Sequence, residues 1–218
     1  VMGNCALHYN IPAPIAVLIG LVVGGICGLL NGFLVAKVKL PPFIVTLGTL
    51  NIAFAITQLY SNSQTVTDLP PTLTWLGNTF QIGGTEVGYG SVLKVLLYLA
   101  TWFYLRETSA GRHIYAVGNN PEATRLTGIA TERVLLGVYV LAGVLYGVAS
   151  LLAVSRVGVG DPNAGQTEHL DAITAVVLGG TSLFGGRGMI LGTLVGAIVV
   201  GVLRNGLTLM GVASVYQV

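Results

Sequence analysis

Apolar residues run in long unbroken stretches along this chain, and polar residues collect between them. Ala13 to Ala36 contains no charge and ends at Lys37 and Lys39. Pro42 to Tyr60 is equally uncharged. A third run, Ser91 to Leu105, carries Lys94 near one end, where an ammonium group can snorkel to the interface. A fourth covers Val134 to Val154, and a sixth Met189 to Leu203. Between these two lies a fifth, Ala172 to Gly186, short and interrupted by Gly185-Gly186-Arg187-Gly188. A membrane-crossing helix needs about 20 apolar residues. The pattern therefore predicts membrane helices, with the fifth segment either spanning or re-entrant. An open sheet leaves backbone groups unpaired in lipid, and the period-two alternation of a barrel is absent. The fold class expected is all-α, a polytopic transmembrane helical bundle forming one domain over residues 1–218.

The polar stretches suggest an orientation. Ser61 to Gly90 is rich in Thr, Asn, Pro and Gly and free of Lys and Arg. Ser155 to Asp171 is a second polar segment, and residues 106–133 hold Arg106, Arg112, Arg125 and Arg133. If spans alternate, seven basic residues (Lys37, Lys39, Arg106, Arg112, Arg125, Arg133 and Arg187) share one side, and only Lys94, Arg156 and Arg204 fall elsewhere. Basic residues in short loops favour the cytoplasm. Residues 106–133 are thus expected inside the cell, and 61–90 and 155–171 outside. Val1-Met2-Gly3-Asn4 offers no charged leader region. Both ends are expected to lack helices, so the chain reads as a fragment without the first and last spans.

Composition narrows the function. Hydrophobic residues make up 53% and charged residues 8%, with mean hydropathy +0.81, against about 25% charged in a soluble domain. The net charge of +2 comes with no Lys/Arg-rich run, which argues against nucleic acid. Cys5 and Cys27 match no ligand or redox spacing. His8, His113 and His169 are scattered over different loops, on opposite membrane sides, so no metal site is predicted. No catalytic set of residues is evident. The predicted spans hold no carboxylate, which argues against proton coupling. Asp161, Glu168 and Asp171 share an outward segment with Arg156. They are candidates for an outer gate or a docking surface, or are simply solvated, and Asp171 also suits a helix cap.

Glycine and threonine mark two further features. Gly20, Gly24, Gly28 and Gly32 recur every four residues, as do Gly143 with Gly147, and Gly188 with Gly192 and Gly196. Such ridges let helices approach closely in lipid. In the second run, Thr46, Thr49, Ala53 and Thr57 fall within about 80° of one another, and Asn51 and Gln58 lie on the other side. One stripe is a candidate lining for a hydroxylated solute. The alternative is that each Thr bonds its own backbone. Asn31, at the end of the first glycine ridge, is a second candidate for the path.

The 106–133 loop contains a self-capped helix at about 120–128. Asn120 is an N-cap, Pro121 suits the first helical position, and Glu122 favours the positive helix end. Gly128 is placed to stop the helix. Ala123 and Leu126 are its apolar residues, beside Glu122 and Arg125. Two turns are not stable alone. The helix packs either on the rest of its loop or on a soluble partner.

This segment resembles the coupling segment of ABC importer permeases of the ribose/xylose/arabinose/fructose type. Leu30-Asn31-Gly32-Phe33-Leu34-Val35-Ala36-Lys37 and Leu40-Pro41-Pro42-Phe43-Ile44-Val45-Thr46-Leu47-Gly48 resemble the same family. So do Gly111-Arg112-His113-Ile114-Tyr115-Ala116-Val117-Gly118, Ala172-Ile173-Thr174-Ala175-Val176-Val177-Leu178-Gly179-Gly180 and Ser182-Leu183-Phe184-Gly185-Gly186-Arg187-Gly188. The resemblance covers nearly the whole chain in order. It implies a type II importer fold in the cell inner membrane and a paired permease, expected as a homodimer. It also implies an ATPase subunit docked on Asn120, Pro121, Glu122, Ala123, Arg125, Leu126 and Gly128, and an extracytoplasmic sugar-binding protein. ATP and Mg are expected on the ATPase, and no cofactor on this chain, which has no phosphate-cradling Gly-x-x-x-x-Gly-Lys-Ser/Thr motif. The function implied is passage of a monosaccharide, with ATP hydrolysis on another chain. The alternatives are a branched-chain amino acid permease of the same superfamily, or an ion-coupled secondary transporter.

Overall fold

The computed structural model describes residues 1–8 and 11–211. Its contacts divide the chain into two compact units. The first comprises residues 1–96 and 130–164, the second residues 97–129 and 165–218.

The first unit opens with α1 (Met2–His8), followed by α2 (Ala13–Ala36) and α3 (Pro42–Ser61). Prolines set where these helices begin. Pro14 and Pro42 lie in the first helical positions of α2 and α3, where no backbone N–H is required. Asn62 closes α3 in a left-handed conformation. Residues 61–90, which the sequence presents only as a polar stretch, are folded. They contain α4 (Pro71–Thr74), a 3-10 turn (Trp75–Gly77), and strands β1 (Thr79–Ile82) and β2 (Thr85–Gly88). The strands pair antiparallel across Gly83-Gly84, both at positive φ, as the tight hairpin turn requires. Tyr89 stacks on Trp75, with ring centroids 5.0 Å apart. The small core gathers Cys5, Ala6, Ala13, Ala16, Leu69 and Leu73.

The long partner of α2 is α8 (Thr131–Val157). It extends beyond the expected Val134–Val154 run at both ends. Ser155, assigned to a polar loop by its chemistry, is instead a buried helical residue whose hydroxyl donates to the Leu73 carbonyl at 2.6 Å. The α2–α8 contact is set by glycine. A Cβ on Gly24 would lie 2.5 Å from the Gly143 carbonyl oxygen, and one on Gly32 3.0 Å from the Tyr139 Cβ. Gly28 abuts the Tyr139 carbonyl, Gly147 abuts Leu21, and Gly20 accommodates Met2 of α1. The helix axes approach this closely only because no side chain stands between them.

α5 (Tyr89–Glu107) crosses from the first unit into the second. The second unit continues with α6 (Ser109–Asn119), α7 (Pro121–Leu126), α9 (Glu168–Leu178) and α10 (Ile190–Leu209). The sequence reading missed α6. Its N-cap, Thr108, accepts from the Gly111 N–H at 3.1 Å. The fifth apolar segment does not cross a bilayer as a helix. α9 has 11 residues, about 16 Å at 1.5 Å per residue, against a hydrocarbon core of about 30 Å. Gly179 and Gly180 stop it. α9 packs on α10, with Gly196 against the Ala175 carbonyl and Gly192 against that of Gly179. α10 runs six residues past the expected Leu203, to Leu209.

Among the described residues, four helices are long and apolar enough to cross a membrane: α2, α3, α8 and α10. α5, the predicted third span, is 19 residues long but less apolar than these four. Large apolar side chains such as Ile44, Ile52 and Leu59 of α3 face outward. That is the arrangement of a multi-pass membrane protein, whose solvent on these faces is lipid.

Candidate functional site

The capped segment of the 106–133 loop is shorter than the expected 120–128 helix. α7 is six residues long, held at both ends. Asn120 Oδ1 accepts the Ala123 N–H at 2.9 Å, and Pro121 occupies the first helical position. At the other end the Gly128 N–H donates to the Arg125 carbonyl at 3.0 Å, and Gly128 sits at φ +88. A β-carbon is strained in that conformation.

The face that this helix turns inward is the one the sequence reading missed. Thr124 is buried, and its hydroxyl donates to the Asn120 carbonyl at 2.7 Å. Ala123 and Leu126, the apolar residues of the segment, are both exposed, Leu126 by 87%. Pro121, Glu122 and Arg125 are exposed beside them. α7 thus presents an apolar tip flanked by one acid and one base. Helical spacing did not distinguish Thr124 from Ala123, because a six-residue helix has no repeated stripe.

Behind α7, the joint with α6 rests on the turn between α9 and α10. A Cβ on Gly118 would lie 2.6 Å from the Gly186 nitrogen. The Tyr115 hydroxyl donates to the Gly188 carbonyl at 3.0 Å. These contacts join two sequence blocks separated by about seventy residues, and only a fold could bring them together. Nearby, Arg106 lies over the Trp102 ring at 5.2 Å and pairs with Glu107 at 3.4 Å.

The residues proposed for a solute path lie in the first unit. Thr46, Thr49 and Thr57 each donate to a carbonyl of the preceding turn: Thr46 to Pro42 at 3.0 Å, Thr49 to Val45 at 3.0 Å, Thr57 to Ala53 at 2.8 Å. Their hydroxyl hydrogens are thereby occupied, while the oxygens still accept. On the other side of α3, Asn51 donates to the Leu47 carbonyl at 2.8 Å and Gln58 to Asn163 Oδ1 at 2.8 Å. Asn31 is different. Its Oδ1 is buried without a hydrogen-bond partner among the described residues, the condition that costs most in a low-dielectric setting.

The three histidines lie on separate helices, α1, α6 and α9, rather than in loops. Among the described residues no three His, Cys, Asp or Glu side chains cluster as a metal site. Asp171, whose place at a helix start suggested a cap, instead accepts from Arg204 of α10. The α9–α10 pairing was the missing information, since the two residues are 33 apart in sequence.

The family described as "Branched-chain amino acid transport system / permease component" matches residues 2–218. Over 216 residues the chain is 45% identical to the fructose import permease protein of Rhizobium meliloti, covering 97% of this chain and 60% of that protein. It is 40% identical to the ribose import permease protein of Escherichia coli K12, covering 95% of this chain and 65% of the relative. It is 32% identical to the galactose/methyl galactoside import permease protein of the same organism, covering 95% and 63%. The chain therefore spans less than two thirds of the length of each of these relatives. No solved structure matches it significantly.

Proposed function

We propose, for a chain that belongs to the branched-chain amino acid transport system / permease component family, a role as the membrane-spanning subunit of an ATP-driven monosaccharide importer. Three curated relatives at 32–45% identity are named for fructose, ribose and galactose, and these names favour a sugar. The family description names branched-chain amino acids, the second reading, while these relatives are named for sugars.

One observation carries the coupling part of the proposal: Leu126 stands 87% exposed at the tip of a helix fixed by its own caps. An apolar residue held rigidly outward is suited to a protein groove. In this reading the 106–133 segment faces the cytoplasm, as its arginines favour. A separate ATPase subunit binds α7 through Leu126 and Ala123, with Glu122 and Arg125 setting orientation at the rim. ATP and Mg sit on that partner, and ATP-driven closure moves α7 and, through the Gly118 joint, what packs behind it. Asn31, Thr46, Thr49 and Thr57 are proposed to line the path. The open apolar faces of α2, α3, α8 and α10 meet lipid of the inner membrane and a second permease subunit, here read as another copy. An extracytoplasmic binding protein delivers the sugar.

The test is reconstitution of the full-length permease with its ATPase and binding protein in liposomes. ATP-dependent accumulation of a monosaccharide supports the proposal, and accumulation of leucine without any sugar supports the second reading. Leu126→Asp is expected to remove ATPase co-purification while leaving membrane insertion intact. Unchanged co-purification counts against α7 as the coupling element.

A further inference from the structure

The turn between α9 and α10 is closed by its own hydrogen bonds. The Ser182 N–H donates to the Arg187 carbonyl at 2.8 Å, and the Gly185 N–H to the Ser182 carbonyl at 3.2 Å. Ser182 Oγ accepts the Phe184 N–H at 3.2 Å. This arrangement leaves Leu183 and Phe184 at the tip, 70% and 98% exposed.

The opposite side of the turn is fixed to the end of α6, just ahead of α7. A Cβ on Gly186 would lie 2.6 Å from the Asn119 Cα, and one on Gly185 2.9 Å from the Gly118 carbonyl oxygen. These are backbone-on-backbone contacts with no flexible side chain between them, so the turn and the α6–α7 joint form one packed piece. Tyr115 adds a tether to the Gly188 carbonyl. A single piece thus carries two outward apolar features, Leu126 on α7 and the Leu183-Phe184 tip.

We propose that Leu183 and Phe184 form a second docking contact for the ATPase subunit, beside the one on α7. The inference rests on the reading of α7 as the coupling element. Hydrocarbon is a poor alternative occupant. Irregular backbone facing lipid leaves polar groups unsatisfied, and exposed Arg187 lies on the same turn, with exposed Glu122 and Arg125 on the attached helix. This edge therefore faces water. There, a fully exposed phenylalanine held by a rigid turn is the type of side chain that anchors protein interfaces. The backbone contacts of Gly185 and Gly186 with Gly118 and Asn119, directly ahead of α7, identify the partner as the subunit that binds α7. Such a contact gives the ATPase a direct grip on the turn joining α9 to α10.

The experiment uses the full-length permease assembled with its ATPase subunit in detergent. Phe184→Asp is expected to weaken ATPase association at least about tenfold, with Phe184→Leu close to wild type. A photo-crosslinking p-benzoylphenylalanine at position 184, which preserves an aromatic side chain, is expected to capture the ATPase, and this result decides the matter if Phe184→Asp fails to fold. Loss of association in Leu126→Asp but not in Phe184→Asp, with no ATPase adduct at 184, overturns this inference and leaves the α7 reading standing. Adducts at 184 only with lipid or with another permease copy also overturn it. Intact association in both variants removes the α7 reading and this inference together.

Discussion

Asp171 in the first turn of α9 accepts a hydrogen bond from the guanidinium of Arg204 on α10. The pair is half-shielded, with side-chain exposures of 33% for Asp171 and 42% for Arg204. It lies at one end of an antiparallel contact whose other end is Gly179 against Gly192. A helix of 11 residues is thereby held along its length. Arg204 belongs to an apolar helix, where an unpaired charge is costly.

Asp171→Asn is expected to lower stability by about 1–3 kcal/mol, between the values for exposed and fully buried pairs. The reversal Asp171→Arg with Arg204→Asp is expected to recover part of that loss. Thermal unfolding in detergent, read as a double-mutant cycle, checks both.

The α2–α8 contact gives a sharper contrast. Gly143→Leu drives a side chain into the Gly24 backbone, which cannot retreat, and is expected to cost at least about 3 kcal/mol or abolish folding. A Cβ on Gly48 in α3 meets nothing within 4 Å. Gly48→Ala is expected to be neutral or to stabilise by up to about 1 kcal/mol. Melting temperatures of the two variants in one detergent give the comparison.

The cap of α7 can be tested without touching its exposed tip. Asn120→Ala removes the acceptor for the Ala123 N–H and is expected to destabilise α7 by about 1 kcal/mol. Asn120→Asp keeps an acceptor and is expected to behave as wild type. Hydrogen exchange at residues 121–126 reports the fraying, and ATPase activity that no longer responds to the binding protein reports its effect on coupling.

For α3, removal of a hydroxyl and addition of bulk are expected to act differently. Thr46→Val and Thr49→Val lose only bonds to their own helix and are expected to change stability by less than about 0.5 kcal/mol. Thr46→Trp and Thr49→Trp are expected to cut sugar uptake several-fold at normal membrane abundance if these residues line the path. Uptake assays with matched expression separate the two. Full uptake in the tryptophan variants returns the stripe to a packing role.

The long helices were legible because a bilayer demands runs of apolar residues, and Ala13 to Ala36 announces itself without help from the rest of the chain. The caps of α7 were legible because Asn120, Pro121 and Gly128 act on their nearest neighbours. What escaped the sequence depended on long-range partners. Ser155 reads as a loop residue until Leu73 offers it a carbonyl. Thr124 reads as incidental until α7 folds with that side chain turned inward. The hairpin at Thr79–Gly88 was hidden because a two-stranded ribbon of four-residue strands is too short to show a period. α9 was ambiguous for another reason: its residues are apolar enough for a span, and only the break at Gly179-Gly180 reveals that it is half the length of one. The Asp171–Arg204 pair follows from that break, since α9 and α10 then lie side by side.

The account depends above all on α7 facing the cell interior, where an ATPase can reach it. The direct measurement places a single cysteine at position 126 of the full-length permease, with Cys5 and Cys27 replaced by serine, and treats intact cells and inside-out vesicles with a membrane-impermeant maleimide. Labelling only in the inside-out vesicles is the predicted result. Labelling of position 126 in intact, unpermeabilised cells contradicts the account.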